Sequence, residues 1–336
     1  GGPRAMVAVT GTDGKTTTVA MVAEILRAAG RRPVECGNTD VPMVDATEMD
    51  VDTYVIECSS FRLQWCEQFR AGAAIWLNLA ADHLDWHGDI NDYASAKARI
   101  WSAQRSDDVA VGVMGDPVVA QHLVNVSARA VGVGDGGDYR VNDGWLHGPD
   151  GPIMAVADLA RALPHDLTNA LAAAAACIES GLATSADVAA GLGRFTHPPH
   201  RISHVGTLDD VAFVDDSKAT TPHAAVTAVR AFERVVLIAG GRNKGVDLLP
   251  LASAVDRLRG VVAIGEAADD VLGVFGAAVP TRRAASMEEA VAAAVDMASA
   301  GDTVLLSPAC ASFDWYPTGG YAARGDHFSR VVRSMI

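Results

Sequence analysis

Short apolar runs alternate with amphipathic stretches from the start of the chain. The runs "AMVAV", "TYVIE", "AAIWLN" and "DVAVGV" have the length and residue content of buried strands. After the first run, Val22, Ile25, Leu26 and Ala29 share one helical face, and Gly30 is predicted to end that helix. Another helix is predicted at "INDYASAKARIW". Alternating strands and helices predict an α/β fold with a parallel sheet.

The second half of the chain has the same alternation. Strands are predicted at "VAFVD", "RVVLIAG", "GVVAIG" and "DTVLLS", and Ser286 with Glu289 forms a capping box for the helix "SMEEAVAAAVDMA". Between the halves, a glycine- and aspartate-rich stretch predicts turns and a small β excursion, followed by the alanine-rich helix "LTNALAAAAACIESG". Two consecutive prolines in "FTHPPHR" exclude a helix or central strand there. We therefore predict two domains, residues 1–198 and 199–336.

Composition narrows the class of protein. With 336 residues, 49% of them hydrophobic, the chain is long enough for two buried cores. The 41 acidic against 27 basic side chains argue against a basic nucleic-acid-binding stripe. Five scattered cysteines without a C-x-x-C pair argue against a disulfide framework or zinc ribbon and suggest a reducing compartment, so we expect a cytoplasmic protein.

Targeting and membrane segments are not predicted. No apolar run approaches the roughly 18 residues of a membrane span, and no secretory signal is visible. The first predicted strand begins almost at the first residue, so we expect a further segment to precede it.

The stretch "VAVTGTDGKTTT" has the pattern of a phosphate-binding loop. A tight glycine turn between a buried strand and a helix directs backbone N–H groups, and the positive end of the helix, at one point. Lys15 would reach the outer phosphates, and Thr16 would offer a hydroxyl to magnesium. The strict P-loop pattern requires a glycine where Val9 stands, so an ordinary strand-to-helix turn is the alternative.

Three further positions carry candidate chemistry. Glu57 ends the strand "TYVIE", where an acidic residue beside a P-loop strand would hold magnesium; a solvent-facing strand end is the alternative. His83 and His87 have the spacing of a zinc pair, but no third ligand follows at a standard spacing. Lys97, taken alone, would be a solvated helix lysine.

Nine motifs in series resemble one family in their order and spacing, the Mur ligases of cell-wall synthesis. They are "GTDGKTTT", "ECSSF", "DHLDWHG", "YASAKARI", "HDLTNALAAAAA", "HRISHV", "DDSKATTPHAA", "GGRNKG" and "SPACASFD…RGDHF". The serine–lysine form of "DDSKAT" resembles the members that add D-glutamate. The sequence departs from the family pattern at Asp13, Asp166 and Asn243, and the loop before Tyr321 is longer than usual.

The resemblance implies a fold and a reaction. It implies a central P-loop ATPase domain with a parallel or mixed sheet, followed by a Rossmann-like C-terminal α/β domain. The family's N-terminal uridine-nucleotide domain is expected to be absent from this sequence. The implied reaction uses ATP and Mg²⁺ to phosphorylate the carboxylate of UDP-MurNAc-L-Ala. The amine of D-glutamate then attacks the acyl phosphate, and ADP and phosphate leave. Neither a nucleic acid nor a membrane is an expected partner, and the sequence indicates no oligomeric state.

The resemblance also implies residue roles. The catalytic positions would be Lys15, Glu57, His83 and Lys97. The ATP site would comprise Gly11, Thr12, Asp13, Gly14, Lys15, Thr16, Thr17, Asn169 on the adenine side, Arg201 at the phosphates and Asp216 at the ribose. Metal ligands would be Thr16, Glu57, His83 and Lys97, the last as a carbamylated lysine. Substrate positions would be Asn38, Lys218, Thr220, Lys244, Ser312, Phe313 and Tyr321.

Two other functions remain possible from the sequence. One is a nucleotide-binding module that has lost ligase activity and acts as a subunit or partner. The other is a generic P-loop kinase, which leaves the second half of the chain unexplained. The intact set Lys15, Glu57, His83 and Lys97 favours the ligase, because an inactive site has no reason to keep all four.

Overall fold

The computed structural model describes residues 4–276 and 278–336, apart from the side chain of Asp85. The chain divides into two compact units, of which the first ends at Thr196 and the second covers His197–Ile336. The division falls beside the two prolines of "FTHPPHR". The domain limits at residues 198 and 199 stay a prediction.

Six parallel strands form the main sheet of the first unit. They are β1 (Ala5–Thr10), β2 (Pro33–Gly37), β3 (Thr53–Glu57), β4 (Ala73–Trp76), β5 (Val109–Val113) and β6 (Arg129–Val133). Their order is β2-β3-β1-β4-β5-β6, and Val9 of β1 pairs with Glu57 of β3 and Ile75 of β4. The residues that follow β1, β3 and β4 therefore meet at the carboxyl edge of the sheet, where ligands of open α/β sheets bind.

Helices cover both faces of this sheet. They are α1 (Lys15–Ala28), α2 (Met43–Ala46), α3 (Ser60–Leu63), α4 (Leu84–His87), α5 (Ile90–Ser102), α6 (Pro117–Leu123), α7 (Pro164–Glu179) and α8 (Ser185–Arg194), with a 3-10 turn at Val156–Asp158. Val7 and Val9 pack in one core with α1 and α7, whereas Ala8 packs in another with Trp76 and Trp101. The alternation of side chains along β1 thus supplies both cores.

The glycine-rich excursion forms a small antiparallel sheet. Its strands are β7 (Arg140–Asn142), β8 (Trp145–Gly148) and β9 (Gly151–Ala155), in that order. Leu146 and Met154 pack against the core that contains α7. The predicted turns and β excursion are therefore present.

The second unit contains a mixed sheet. Its strands are β10 (Ser203–Leu208), β11 (Val211–Asp215), β12 (Val235–Gly240), β13 (Leu258–Ile264), β14 (Thr281–Ala284) and β15 (Thr303–Ala309). The order is β10-β11-β15-β12-β13-β14, and among the described pairings of this sheet only that of β10 with β11 is antiparallel. The carboxyl ends of β11, β15 and β12 are therefore neighbours.

Four helices and a 3-10 segment accompany this sheet. The helices are α9 (Pro222–Arg230), α10 (Ala268–Phe275), α11 (Met287–Met297) and α12 (Gly320–Arg333), and the 3-10 segment is Leu249–Arg257. Ser286 accepts the N–H of Glu289 as predicted, but the Glu289 carboxylate accepts the N–H of Ala285 rather than that of Ser286. Within the described residues, no helix has both the length and the apolar content needed to cross a bilayer.

Candidate active site

The turn between β1 and α1 requires glycine at its last position. Gly14 has φ 84°, in the left-handed region, immediately before the first residue of α1. A Cβ placed on Gly14 would lie 2.7 Å from Oδ1 of Asn169, which is a buried residue of α7. Backbone conformation and space therefore both exclude a side chain at this position.

The start of α1 is suited to an anion. No side chain caps this helix and its first turn contains no acidic residue, whereas α5 and α6 are capped by Asp89 and Asp116. The N–H groups of residues 15–17 have no acceptor within the helix, because they belong to its first turn. Together with the positive end of the helix, they form an anion-binding site of the kind that phosphate occupies.

Asn78, which follows β4, holds the loop from the side. Its Oδ1 accepts the N–H groups of Thr12 and Asp13, both at 2.9 Å, and its Nδ2 donates to the carbonyl of Asp13 at 3.2 Å. The Thr12 hydroxyl in turn accepts the N–H of Ala80 at 2.9 Å. These bonds fix the loop to the neighbouring strand rather than leaving it mobile.

Two lysine ammonium groups meet at this loop. Lys15 Nζ donates to the carbonyls of Gly11 and Thr12, both at 2.8 Å, and Lys97 Nζ donates to the same Gly11 carbonyl at 2.7 Å. Lys97 is 1% exposed, and its Nζ lies 4.4 Å from the ring centre of Tyr93. The alternative of a solvated helix lysine is therefore wrong. Burial first, and the charge of Lys15 second, lower the pKa of Lys97 well below its usual value.

Glu57 offers an unsatisfied carboxylate oxygen. The residue is 5% exposed, so the alternative of a solvent-facing strand end is also wrong. Its Oε1 accepts Nδ2 of Asn38 at 3.1 Å, which places that predicted substrate residue beside it. Its Oε2 is buried and has no hydrogen-bond partner among the described residues. Because a buried oxygen without a partner is costly, this atom fits a cation ligand such as Mg²⁺.

His83 and His87 do not form a pair on one helical face. His83 precedes α4 with φ 54°, and its half-exposed ring lies 4.7 Å from that of Phe61. His87 is buried, and its Nε2 lies 2.9 Å from the Ser60 hydroxyl. In the described part of the chain, no three His, Cys, Asp or Glu side chains are grouped so as to hold a metal. Magnesium bound to phosphates needs only one or two protein carboxylates.

The proposed catalytic residues of the first unit lie at the same edge of its sheet. Ring contacts lead from His83 to Tyr93 and from Tyr93 to Lys97, whose ammonium contacts the loop that holds Lys15. Glu57 ends the strand next to β1.

Asp166 has a structural role at this edge. It is fully buried, and Arg161 donates to its two oxygens at 2.6 and 2.8 Å. The departure from the family pattern at this position is therefore balanced by a paired arginine within the same unit.

Asp216 directly follows β11 in the second unit. Its carboxylate accepts the Ser307 hydroxyl at 2.7 Å and the N–H of Ile202 at 3.2 Å. Burial raises the pKa of Asp216 to about 7, although these hydrogen bonds and the nearby charge of Arg201 act in the opposite direction. The structure thus brings Asp216 and Arg201, both predicted for ATP, into one neighbourhood.

The predicted amino-acid-binding residues lie on the loops that follow β11, β15 and β12, except Tyr321, which lies in the first turn of α12. Lys218 Nζ is 3.9 Å from the ring centre of Tyr321. Ser312 is buried and Phe313 is half-exposed at the loop after β15. The remaining two, Thr220 and Lys244, are exposed after β11 and β12.

Backbone contacts draw these loops together. The carbonyl of Ala219 accepts the N–H of Ala309 at 3.0 Å, and Arg242 and Ala311 exchange backbone hydrogen bonds of 2.8 and 3.1 Å. Asn243, another departure from the family pattern, closes the Lys244 loop through both backbone groups of Val246. These contacts join the loops that carry Lys218, Ser312 and Lys244.

Comparison with known proteins identifies the family. A model of the Mur ligase middle domain matches residues 9–177, and one of the Mur ligase glutamate ligase domain matches residues 200–310. The sequence is 42% identical to UDP-N-acetylmuramoylalanine--D-glutamate ligase of Thermobifida fusca, over 98% of this chain and 76% of that protein. It is 43% identical to the protein of the same name from Frankia casuarinae, over 99% and 73%. The chain belongs to the Mur ligase family.

A solved Mur ligase structure has the same fold. The MurF ligase of Thermotoga maritima, determined in complex with ADP, matches with a TM-score of 0.76 and 17% identity, over 99% of this chain and 81% of that one. The family resemblance found in the motifs, and the α/β fold that it implied, are therefore confirmed.

Lysine is rare in this chain. The chain has only four lysines, Lys15, Lys97, Lys218 and Lys244. The rest of its 27 lysine and arginine residues are arginines. Every lysine is thus a predicted site residue. An ammonium group differs from a guanidinium in being compact and able to lose its proton, which is the property that a reactive or tightly packed site needs.

Sequence reasoning missed two residues that shape this Mur ligase. Asn78 is the last letter of the predicted strand "AAIWLN", and its position after a strand adjacent to β1 was the available signal. Arg324 belongs to the "RGDHF" motif, to which no role was assigned, and it is 1% exposed.

Proposed function

We propose that this chain catalyses the ATP-dependent joining of D-glutamate to UDP-MurNAc-L-Ala in peptidoglycan precursor synthesis. The observation that carries the proposal is the 42% identity, across 98% of the chain, to a protein named for that reaction. A cytoplasmic location accords with this substrate.

The chemical problem is to make a carboxylate reactive. A carboxylate is a poor electrophile, so the terminal phosphoryl group of ATP is transferred to one of its oxygens, and ADP leaves. The neutral amine of D-glutamate attacks the carbonyl carbon of the acyl phosphate. The tetrahedral intermediate loses phosphate, the nitrogen loses a proton, and an amide remains. Catalysis consists mainly of positioning and charge neutralisation, because several anions must be brought together.

The first unit supports the phosphoryl transfer. The uncapped start of α1, with Thr16 and Thr17, would bind the phosphates. The Lys15 ammonium would leave the two loop carbonyls to which it donates and contact the transferred phosphoryl group instead. Magnesium, when bound, would neutralise phosphate charge. The residues that would hold it are Thr16, Glu57 and His83, and the unpartnered Oε2 of Glu57 supports this. Asn38, bonded to Glu57, would contact the substrate beside the phosphates.

Lys97 has the properties expected of a lysine that becomes carbamylated. The nucleophile toward CO₂ is the neutral amine, and burial next to Lys15 lowers the pKa of Lys97 well below its usual value. Carbamylation would replace an ammonium by an anion, which can serve as a metal ligand and would relieve the repulsion from Lys15. We propose this modification as part of the active enzyme.

The second unit would bind the amino acid. Lys218 and Lys244 provide two cations for the two carboxylates of D-glutamate, and Ser312 and Thr220 provide hydroxyls. Phe313 and Tyr321 would form the apolar wall. Asp216 would accept a ribose hydroxyl, Arg201 would contact the phosphates, and Asn169 of the first unit would lie on the adenine side.

The test supplies the full-length protein with UDP-MurNAc-L-Ala, ATP, Mg²⁺ and D-glutamate. Phosphate release is followed together with the amide product by mass spectrometry. We expect both in equal amounts, and neither when L-lysine or diaminopimelate replaces D-glutamate. Nucleotide binding without an amide product would instead support a module without ligase activity. Product with L-lysine or diaminopimelate would refute the choice of D-glutamate.

A further inference from the structure

Arg324 is a fully buried arginine whose hydrogen bonds all go to uncharged oxygens. It belongs to α12 and is 1% exposed. Its Nε donates to Ser217 Oγ and its Nη2 to the Ser217 carbonyl, both at 2.9 Å. Nη1 and Nη2 both donate to the Cys310 carbonyl at 3.1 Å. No carboxylate of the described residues accepts a hydrogen bond from it.

Burying such a residue is unfavourable in free energy. Burial lowers the pKa of Arg324 to about 10, with Asp314 acting in the opposite direction, so the side chain remains a cation at neutral pH. Taking a guanidinium out of water without a paired anion costs free energy that four hydrogen bonds to three neutral oxygens only partly offset. A side chain held at that cost needs a reason other than the stability of the core.

The partners of Arg324 lie next to residues of the proposed amino-acid site. Ser217 precedes Lys218, and Cys310 lies two residues before Ser312. The guanidinium therefore joins the loop after β11 to the loop after β15, each of which carries proposed D-glutamate-binding residues. A Cβ on Gly241 would lie 3.1 Å from Arg324 Nη1, so the β12 loop that leads to Lys244 also packs against it.

Further bonds hold the Ser217 loop once Arg324 is in place. The Ser217 hydroxyl donates to the carbonyl of Tyr321 at 2.7 Å, and the Ser217 N–H donates to Oδ1 of Asp215 at 2.9 Å. The other Asp215 oxygen lies 2.6 Å from Nδ1 of His200, whose carbonyl accepts the N–H of Lys218 at 3.1 Å. The backbone on both sides of Lys218 is thus restrained.

We propose that Arg324 is the positioning residue of the amino-acid site, and that by bridging Ser217 and Cys310 it sets the spacing between the cations and hydroxyls that recognise the two carboxylates. This rests on the proposed function. Fixed spacing selects a dicarboxylic acid by its length, because a shorter acid cannot reach both ends. Arg324 itself does not contact the amino acid.

The test is the kinetics of Arg324→Lys in the full-length protein, with Arg330→Lys as the matched control. Arg330 is exposed on the same helix, outside the proposed site. Lysine keeps the charge but cannot span both loops with a planar fork. We expect KM for D-glutamate to rise at least about tenfold, KM for ATP to change less than about twofold, and the preference for D-glutamate over D-aspartate to fall. The control should match the parent protein in all three.

A second variant keeps the test decisive if Arg324→Lys does not fold. Ser217→Ala removes one acceptor of Arg324 and the bond to the Tyr321 carbonyl while Arg324 remains, and we expect the same selective rise in KM for D-glutamate. Equal rises in both KM values, or unchanged selectivity, would overturn the positioning role. Failure of the parent protein to use D-glutamate would instead refute the proposed function.

Discussion

Gly14→Ala tests whether the phosphate loop is shaped by its contact with α7. The backbone at Gly14 is left-handed, and an added Cβ would lie 2.7 Å from Oδ1 of Asn169 and 3.1 Å from Cδ1 of Leu77. The substitution therefore strains the backbone and also pushes against a buried amide. The second effect is the one that depends on the tertiary structure.

Gly30→Ala separates the two effects, because Gly30 lies just beyond the other end of α1. Its φ is 74°, close to the 84° of Gly14, but a Cβ there would meet nothing within 4 Å. A left-handed alanine costs about 1–2 kcal/mol, which is the whole expected cost at Gly30. Displacing the buried Asn169 amide adds about 1–3 kcal/mol, so Gly14→Ala should cost about 2–5 kcal/mol in total.

Urea unfolding of both variants gives these free energies, and ATP titration gives the effect on binding. We expect Gly14→Ala to weaken ATP binding and Gly30→Ala to leave it unchanged. In an Asn169→Ala background, which removes the obstructing amide, the added cost of Gly14→Ala should fall toward that of Gly30→Ala, and only the contact with Leu77 remains. Equal costs for the two glycine substitutions, or no coupling between residues 14 and 169, would refute the reasoning.

Three further predictions concern charged groups. Glu57→Gln should raise the Mg²⁺ concentration for half-maximal rate at least about tenfold without lowering the free energy of unfolding, because Oε2 loses no hydrogen bond; exposed Glu67→Gln is the control, and an unchanged Mg²⁺ titration would contradict the assignment. Lys97→Ala should lose activity that bicarbonate or acetate partly restores, and ¹³C-bicarbonate should give a carbamate NMR signal that the variant lacks; full activity of the variant would exclude the carbamate. Burial raises the pKa of Asp216 to about 7, so its native state keeps a proton that the unfolded chain releases near pH 4. The stability that Asp216 contributes is therefore present below about pH 4 and lost as pH rises through about 7. The free energy of unfolding of the parent protein should fall over this range relative to that of Asp216→Asn, and a difference that does not change with pH would contradict the assignment.

Much of the fold follows from local pattern. The buried strands β1, β3, β12 and β15 are apolar runs, and α1 ends where the left-handed Gly30 was predicted to end it. In the two six-stranded sheets, the strands that local pattern did not predict, β2, β6, β10 and β14, lie at sheet edges. Edge strands are partly exposed and contain residues such as Pro33 and Arg282, so their sequences lack a continuous apolar run.

The candidate site likewise contains residues that local sequence reveals and others whose environment depends on tertiary packing. The glycines, Lys15 and Thr16 are recognisable because the phosphate loop is one continuous segment whose chemistry is local. The burial of Lys97 against Gly11, 86 residues away in sequence, depends on strand order and on the packing of α5. A lysine on an isolated helix gives no sign of that environment.

The order of amino acids is enough to predict the alternation of strands and helices, the phosphate loop and the family. The folded chain is needed to see that Glu57 keeps a buried oxygen without a partner among the described residues, that Asn78 anchors the loop and that Arg324 joins two loops. The physical reason is that periodicity and turn chemistry act between residues close in sequence. Burial, pKa and hydrogen-bond partners are set by residues that only the completed sheets bring together.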